Sequence, residues 1–194
     1  NLSRDRFWAT AMPVWKTESG KIKVVGSYEE LKELSGVELE DYHRPWVDDI
    51  TFEIDGEKYT RIDKVLDCWF ESGSMPFAQW HYPFENKEQF ERRFPADFIY
   101  EAIDQTLGWF YTLLAISTCM FNTEQFKNCI VMGNVQDKDG KYMSKHIGNT
   151  VDPWSVLNTQ GADAERWFFY NNAAPGMPNR FHAKAIDETT RKYM

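Results

Sequence analysis

Between Asp97 and Met132 the chain reads as an apolar strand, a long apolar helix and a second apolar strand, and that order leaves few folds open. Asp97 to Glu101 is a short run suited to a buried strand. Thr106 to Phe121 is too long for a strand and apolar on every face, the pattern of a buried helix, and Cys129 to Met132 is again a short apolar run, closed by Gly133. Two strands joined through a helix run parallel, because the crossover returns the chain to the edge where the first strand began. An α/β fold built on a parallel sheet is the expectation. In such sheets ligands bind beyond the carboxyl ends of the strands, where loops and helix N-termini converge. Glu101 to Gln105, and the loop after Val135, fall at those ends.

The flanking segments follow other patterns. Ser27-Tyr28-Glu29-Glu30 fits a capping box, with Leu31 and Leu34 as the apolar face of a short helix ending at Gly36. Ile50, Phe52 and Ile54 alternate with polar residues up to Asp55-Gly56, and Tyr59 begins the return run of a β-hairpin. Residues 1–65 therefore read as a small α+β appendage, and 66–174 as the parallel α/β part. Within the latter, Asp152-Pro153 opens a helix that Gly161 ends, and residues 162–174 continue as an aromatic-rich helix. After the break at Pro175-Gly176-Met177-Pro178, a polar helix from Ala183 to Tyr193 reads as truncated, since such a helix needs a packing partner.

Composition narrows the function. A net charge of −8 is unsuited to a chain that grips nucleic acid by itself, because affinity for phosphate backbones comes from clustered Lys and Arg. Cys68, Cys119 and Cys129 are odd in number and widely spaced, so neither a disulfide framework nor a zinc site is legible. Buried thiols of a cytoplasmic protein are the expectation. No apolar run is long enough to cross a bilayer and no signal segment is present. His43 and His81 lack partners at ligand spacing and read as structural. The abrupt start at Asn1 suggests a piece of a larger protein.

Chemistry concentrates in the loop Asp139-Gly140-Lys141-Tyr142-Met143-Ser144-Lys145-His146-Ile147-Gly148-Asn149. A Gly-flanked loop with Met143, Ser144 and Lys145 can lay a lysine on phosphate, or it can be a solvated hairpin with surface lysines. Three further segments accompany it: Ser3-Arg4-Asp5-Arg6-Phe7-Trp8, Leu66-Asp67-Cys68-Trp69-Phe70-Glu71-Ser72-Gly73-Ser74, and the run from Pro95 through Glu101-Ala102-Ile103-Asp104-Gln105-Thr106-Leu107-Gly108-Trp109-Phe110. In that order, over most of the chain, they resemble the class I aminoacyl-tRNA synthetases. The Cys-Trp-Phe-Glu-Ser-Gly and Asp-Gln-Thr-Leu-Gly-Trp-Phe runs are isoleucyl in kind, while valyl and leucyl relatives share the architecture.

The resemblance implies half of a Rossmann-like parallel sheet with flanking helices. The appendage would be the end of the editing insertion, and 175–194 the start of a helical stem-contact region. It implies ATP with Mg²⁺, isoleucine, tRNA(Ile) and the remaining synthetase domains as partners, with no metal bound by the chain itself. Lys145 would be catalytic, stabilising charge on the departing pyrophosphate, with Met143 and Ser144 beside it at ATP. Glu101, Asp104 and Gln105 would contact the aminoacyl-adenylate, the alternative for Asp104 being that it merely caps the next helix. Trp69 and Trp109 would wall the isoleucine side chain, the alternative for any Trp being core packing. A missing methylene changes binding by only about 1–3 kcal/mol, isoleucine against valine being the standard illustration, so such enzymes edit.

Several positions depart from the family pattern. Tyr142 stands where a lysine is expected and His146 where a serine is; Ala9 and Ala102 replace glycines and Leu107 an arginine. The family's first signature, His-Ile-Gly-His, does not occur, and His146-Ile147-Gly148-Asn149, which shares three of its letters, reads as loop tail and helix lead-in. Lys16-Thr17-Glu18-Ser19 lacks the zinc-binding cysteine pair of some relatives. A non-catalytic nucleotide- or protein-binding module descended from a synthetase is the second reading.

Overall fold

The computed structural model describes residues 2–193 and resolves into two compact units, Asn1–Ala78 and Gln79–Met194. In the first, the short strands β1 (Ser3–Arg4), β2 (Val14–Lys16) and β3 (Ile22–Val24) precede helix α1 (Tyr28–Ser35). A 3-10 turn at Trp46–Asp49 leads into β4 (Thr51–Ile54), β5 (Glu57–Arg61), β6 (Val65–Leu66) and helix α2 (Cys68–Ala78). Four strands form one antiparallel sheet in the order β3-β2-β5-β4, and β1 pairs antiparallel with β6. The hairpin register pairs Ile54 with Glu57 across Asp55 and Gly56. Both turn residues have positive φ, 53° and 75°, which matches the right-handed strand twist and favours Asp-Gly.

Capping chemistry sets α1. Ser27 Oγ accepts from Glu30 N at 3.1 Å, the Glu30 carboxylate takes the Gly26 amide at 2.6 Å, and Gly36 ends the helix in the left-handed region. Leu31 joins Trp15, Val25, Val47, Ile50, Phe52 and Tyr59 in the core, where the Trp15 indole N–H donates to the Ile50 carbonyl at 2.8 Å. Asp48 lies partly buried between Arg44 and Arg61. Burial opposes its charge, but the two guanidinium groups outweigh burial and hold its carboxyl below the ordinary range.

The second unit contains α3 (Lys87–Arg93), β7 (Ile99–Ala102), a 3-10 turn (Ile103–Leu107), α4 (Trp109–Phe121), β8 (Cys129–Met132) and β9 (Val135–Gln136). Then come α5 (Pro153–Thr159), α6 (Ala162–Asn171), β10 (Asn179–Arg180) and α7 (Ala183–Tyr193). β7 and β8 are parallel, Ile99 opposite Cys129 and Ala102 opposite Met132, with α4 as the crossover. The strand, helix, strand expectation therefore holds as a mixed α/β fold, but the parallel strands pair two by two. β9 and β10 form a separate parallel pair, because Gly133 and Asn134 interrupt the run between β8 and β9.

Four expectations are corrected. The helix after β7 starts at Trp109 rather than Thr106, and only Phe110, Leu113 and Ser117, one stripe at helical spacing, are buried. Tyr111, Leu114 and Met120 are exposed. The cysteines are likewise exposed rather than buried. α5 ends at Thr159, and Gly161, at φ 89°, opens α6 instead, which itself ends at Asn171. Finally, α7 has its partner within the chain: fully buried Ile186 packs with Val156, Ala164, Phe168 and Phe181.

Candidate nucleotide-binding loop

Two segments leave the carboxyl side of the parallel strands. After β7, Glu101 and Asp104 are exposed, and Asp104 has no hydrogen-bond or ion-pair partner among the described residues. Gly108 stands at the N-cap of α4, and Gln105 Oε1, from the preceding 3-10 turn, accepts from the first helical amide, Trp109 N, at 3.0 Å. Asp104 is thereby free of capping, and the Gln105 side chain is held at the helix start. Trp109, half-buried, packs against the Ile99, Phe110 and Leu113 cluster, so part of its ring does core work. Trp69 belongs to the first unit, where its amide is held by Asp67 Oδ1 at 3.0 Å and the residue is 38% exposed. Asp67 in turn pairs with Arg4 at 2.7 Å, which links the two motif segments of that unit.

The second segment follows β9. Asp137 N–H donates to the Lys141 carbonyl at 2.9 Å, and Gly140, at φ 77°, lets the chain turn back so that Tyr142 bridges to Gln136. The Arg180 guanidinium lies where a side chain at 140 would stand, with atoms 3.2 to 3.4 Å from that position. Met143 then packs on the core of α5, α6 and α7. Ser144 opens a tight turn: its carbonyl accepts from Ile147 and Gly148 at 3.1 and 3.0 Å, and its hydroxyl accepts from His146 N at 3.3 Å. Lys145 projects from this turn, exposed and without an ion-pair or hydrogen-bond partner among the described residues. Within one tripeptide, then, Met143 anchors, Ser144 bends and Lys145 is presented. His146, Ile147 and Gly148 are part of this turn, in keeping with a loop tail.

Asp137 and Asn149 were not among the residues predicted from sequence, yet they organise the loop. Asp137 is buried, 8% exposed. Hydrogen bonds from the Asn149 amide, and then from the Lys141 and Asp139 backbone, hold its carboxyl below the ordinary aspartate range. The signal available in the sequence was Asp137-Lys138-Asp139-Gly140, an Asp placed to accept amides of the turn that follows it. Among the described residues no three His, Cys, Asp or Glu side chains gather as a metal site, and no helix is long and apolar enough to cross a membrane. An open cleft of about 860 Å³ in the first unit, between Lys16–Ser19 and Glu57–Ile62, contains none of the predicted site residues.

The family described as tRNA synthetases class I (I, L, M and V) matches residues 1–180. The chain belongs to that class I synthetase family. The isoleucine–tRNA ligase of Clostridium acetobutylicum is 55% identical over 197 residues, and that of Deinococcus radiodurans 46% over 202; each alignment spans 100% of this chain and 19% of the relative. This chain thus spans about a fifth of the length of these relatives. Among solved structures, an Agrobacterium radiobacter K84 LeuRS in ternary complex with tRNA and LeuAMS superposes with a TM-score of 0.71 at 19% identity. That match covers 99% of this chain and 27% of the LeuRS chain. Mycobacterium tuberculosis methionyl-tRNA synthetase with methionyl-adenylate gives 0.56 at 21% identity, covering 72% and 26%. Those likenesses show a shared class I synthetase fold.

Proposed function

We propose that this chain is part of an isoleucine–tRNA ligase, carrying the second half of its catalytic nucleotide-binding domain. The observation that carries the reading is the loop in which packed Met143 and turned Ser144 present an unpartnered Lys145. In the whole enzyme the isoleucine carboxylate oxygen would attack the ATP α-phosphorus. The bond from that phosphorus to the bridging oxygen breaks, and pyrophosphate leaves with the electron pair. Lys145 would meet the growing charge on the leaving group, with Met143 and Ser144 holding the loop at ATP, and Mg²⁺ arriving with the nucleotide as part of the substrate. Such catalysis rests on positioning and on cations set against developing phosphate charge.

Glu101, Asp104 and Gln105 would bind the adenylate, Asp104 being the side chain with its acceptors free. Trp69 and Trp109 would enclose the isoleucine side chain. The activated residue then passes to the terminal ribose of tRNA(Ile), in the cytoplasm, with contacts to tRNA made locally on this chain or supplied by the remaining synthetase domains, in keeping with the net charge of −8. In this reading residues 1–65 close the editing insertion, 66–174 complete a Rossmann-like sheet whose other strands lie elsewhere in the enzyme, and 175–194 begin the stem-contact region. A non-catalytic module is the second reading, favoured by Tyr142, His146 and Ala102.

Isoleucine-dependent ATP–pyrophosphate exchange separates the two. The full-length protein containing this chain should exchange with isoleucine, far less with valine and not with leucine. The purified chain alone, which contains no His-Ile-Gly-His, should not exchange. A full-length protein that binds ATP without exchange would establish the module reading, and exchange by the isolated chain would remove the need for the first signature.

A further inference from the structure

Asn149 uses its whole amide on the signature loop. Its Oδ1 accepts from Ser144 N at 2.8 Å, and its Nδ2 donates both hydrogens, to Asp137 Oδ2 at 2.6 Å and to the Tyr142 carbonyl at 3.1 Å. The other oxygen of Asp137 accepts from Asp139 N at 3.0 Å and Lys141 N at 2.8 Å. One carboxylate therefore closes the hairpin before Met143, one amide closes the turn after it, and a direct bond joins the two. With asparagine at 149 donating across the pair and to Tyr142, position 137 must accept on both oxygens, and a carboxylate does so.

The geometry points to Asp137 and Asn149 as a positioning pair that presets the signature loop and thereby sets where Lys145 stands. This rests on the synthetase reading for its catalytic consequence, but the lock itself is a property of this loop. Without it, the segment keeps the backbone pairing of Asp137 with Lys141 and of Gln136 with Tyr142 and the packing of Met143, but the turn from Ser144 to Asn149 loses its ties to that hairpin, and each residue left free must be ordered when nucleotide binds. Neither residue touches the reacting atoms. Their effect passes through the Ser144 amide and the Tyr142 carbonyl.

The test uses Asn149→Asp, Asp137→Asn and the double exchange in the full-length protein. Asn149→Asp removes the donor and sets two carboxylates together. The exchange restores one carboxylate and one amide across the pair, losing only the bond to Tyr142. Amide hydrogen exchange at Lys141 and Ser144 reads the lock directly: protection should fall at least about tenfold in each single variant and return in the exchange. Single-turnover adenylate formation should slow by up to about 10²-fold in the single variants, as for a misplaced catalytic group. Isoleucine affinity should be unchanged and the exchange should recover most of the rate. If the parent forms no adenylate, the synthetase reading fails while the exchange protection still decides the lock. Unaltered protection in both single variants would overturn the pair, as would loss of protection that the double exchange does not restore.

Discussion

A methyl group added at Gly133 tests how the fold holds this loop. Its Cβ would stand 2.3 Å from both the carbonyl carbon and the oxygen of Met177, and 2.6 Å from the nitrogen of Pro178. Carbon contacts are comfortable only beyond about 3.5 Å, so two stretches of backbone would have to part by roughly 1 Å, with no side-chain rotamer able to yield. Residues 177 and 178 lead directly into β10, which pairs with β9, which in turn opens the signature loop. The strain cannot be absorbed without disturbing Asn179 N–H to the Asn134 carbonyl, 3.0 Å, and Phe181 N–H to the Gln136 carbonyl, 2.8 Å. We place the cost of Gly133→Ala at about 3 kcal/mol, the top of the usual range for overpacking. For a unit the size of Gln79–Met194 one kcal/mol is worth roughly 3–4 °C, so Tm should fall by roughly 10 °C. Near-UV circular dichroism follows the transition, and amide exchange at Phe181 should show lost protection. Gly26→Ala is the control, because its Cβ would meet only the Glu30 carboxylate at an ordinary 3.4 Å. A Gly133→Ala chain melting within about 2 °C of the parent would show that the crossing does not constrain the strands as argued.

Two further outcomes follow from the packing and charge of the same unit. Phe168, 1% exposed between α5, α6 and α7, should cost about 3–5 kcal/mol when replaced by alanine, measured by urea unfolding; a loss below about 1 kcal/mol would mean this cluster is not the core that supports Met143. Asp137 has a folded pKa below the ordinary value of about 3.9, so its contribution to loop order is complete above that value and is lost as pH falls through the lower folded value. Its carboxyl carbon resonance should titrate below about pH 3.9 and Lys141 amide protection should decay with it, a limb that Asp137→Asn removes; titration above pH 4 would contradict the assigned hydrogen bonds.

What the sequence made legible was local. Ser27, Gly36 and the Asp55-Gly56 turn announce themselves because a cap or a positive φ demands those residue types within a few positions. Asp152 likewise caps α5, accepting from Trp154 N at 3.1 Å ahead of Pro153. The parallel pairing of Ile99–Ala102 with Cys129–Met132 follows from strand, helix and strand in order. The burial of α4 is only partly legible, because apolar residues on every face do not say which of them are covered. The helix starts later than the apolar run because a 3-10 turn runs to Leu107 and Gly108 takes the N-cap, with Gln105 rather than Asp104 accepting the Trp109 amide. In the signature loop the Met-Ser-Lys letters were visible, but the division of labour was not. Met143 as anchor depends on helices that follow it, and the bond from Asn149 to Asp137 joins residues whose meeting no periodicity encodes.

If Lys145 acts on the leaving pyrophosphate, pre-steady-state adenylate formation by full-length Lys145→Ala should be slower by about 10²–10³-fold, the usual size for one electrostatic contact made in the transition state. Isoleucine affinity and Tm should be unchanged, because the exposed Lys145 side chain has no partner among the described residues to lose. An unaltered rate together with a sharp fall in thermal stability would contradict it and make the loop lysine structural.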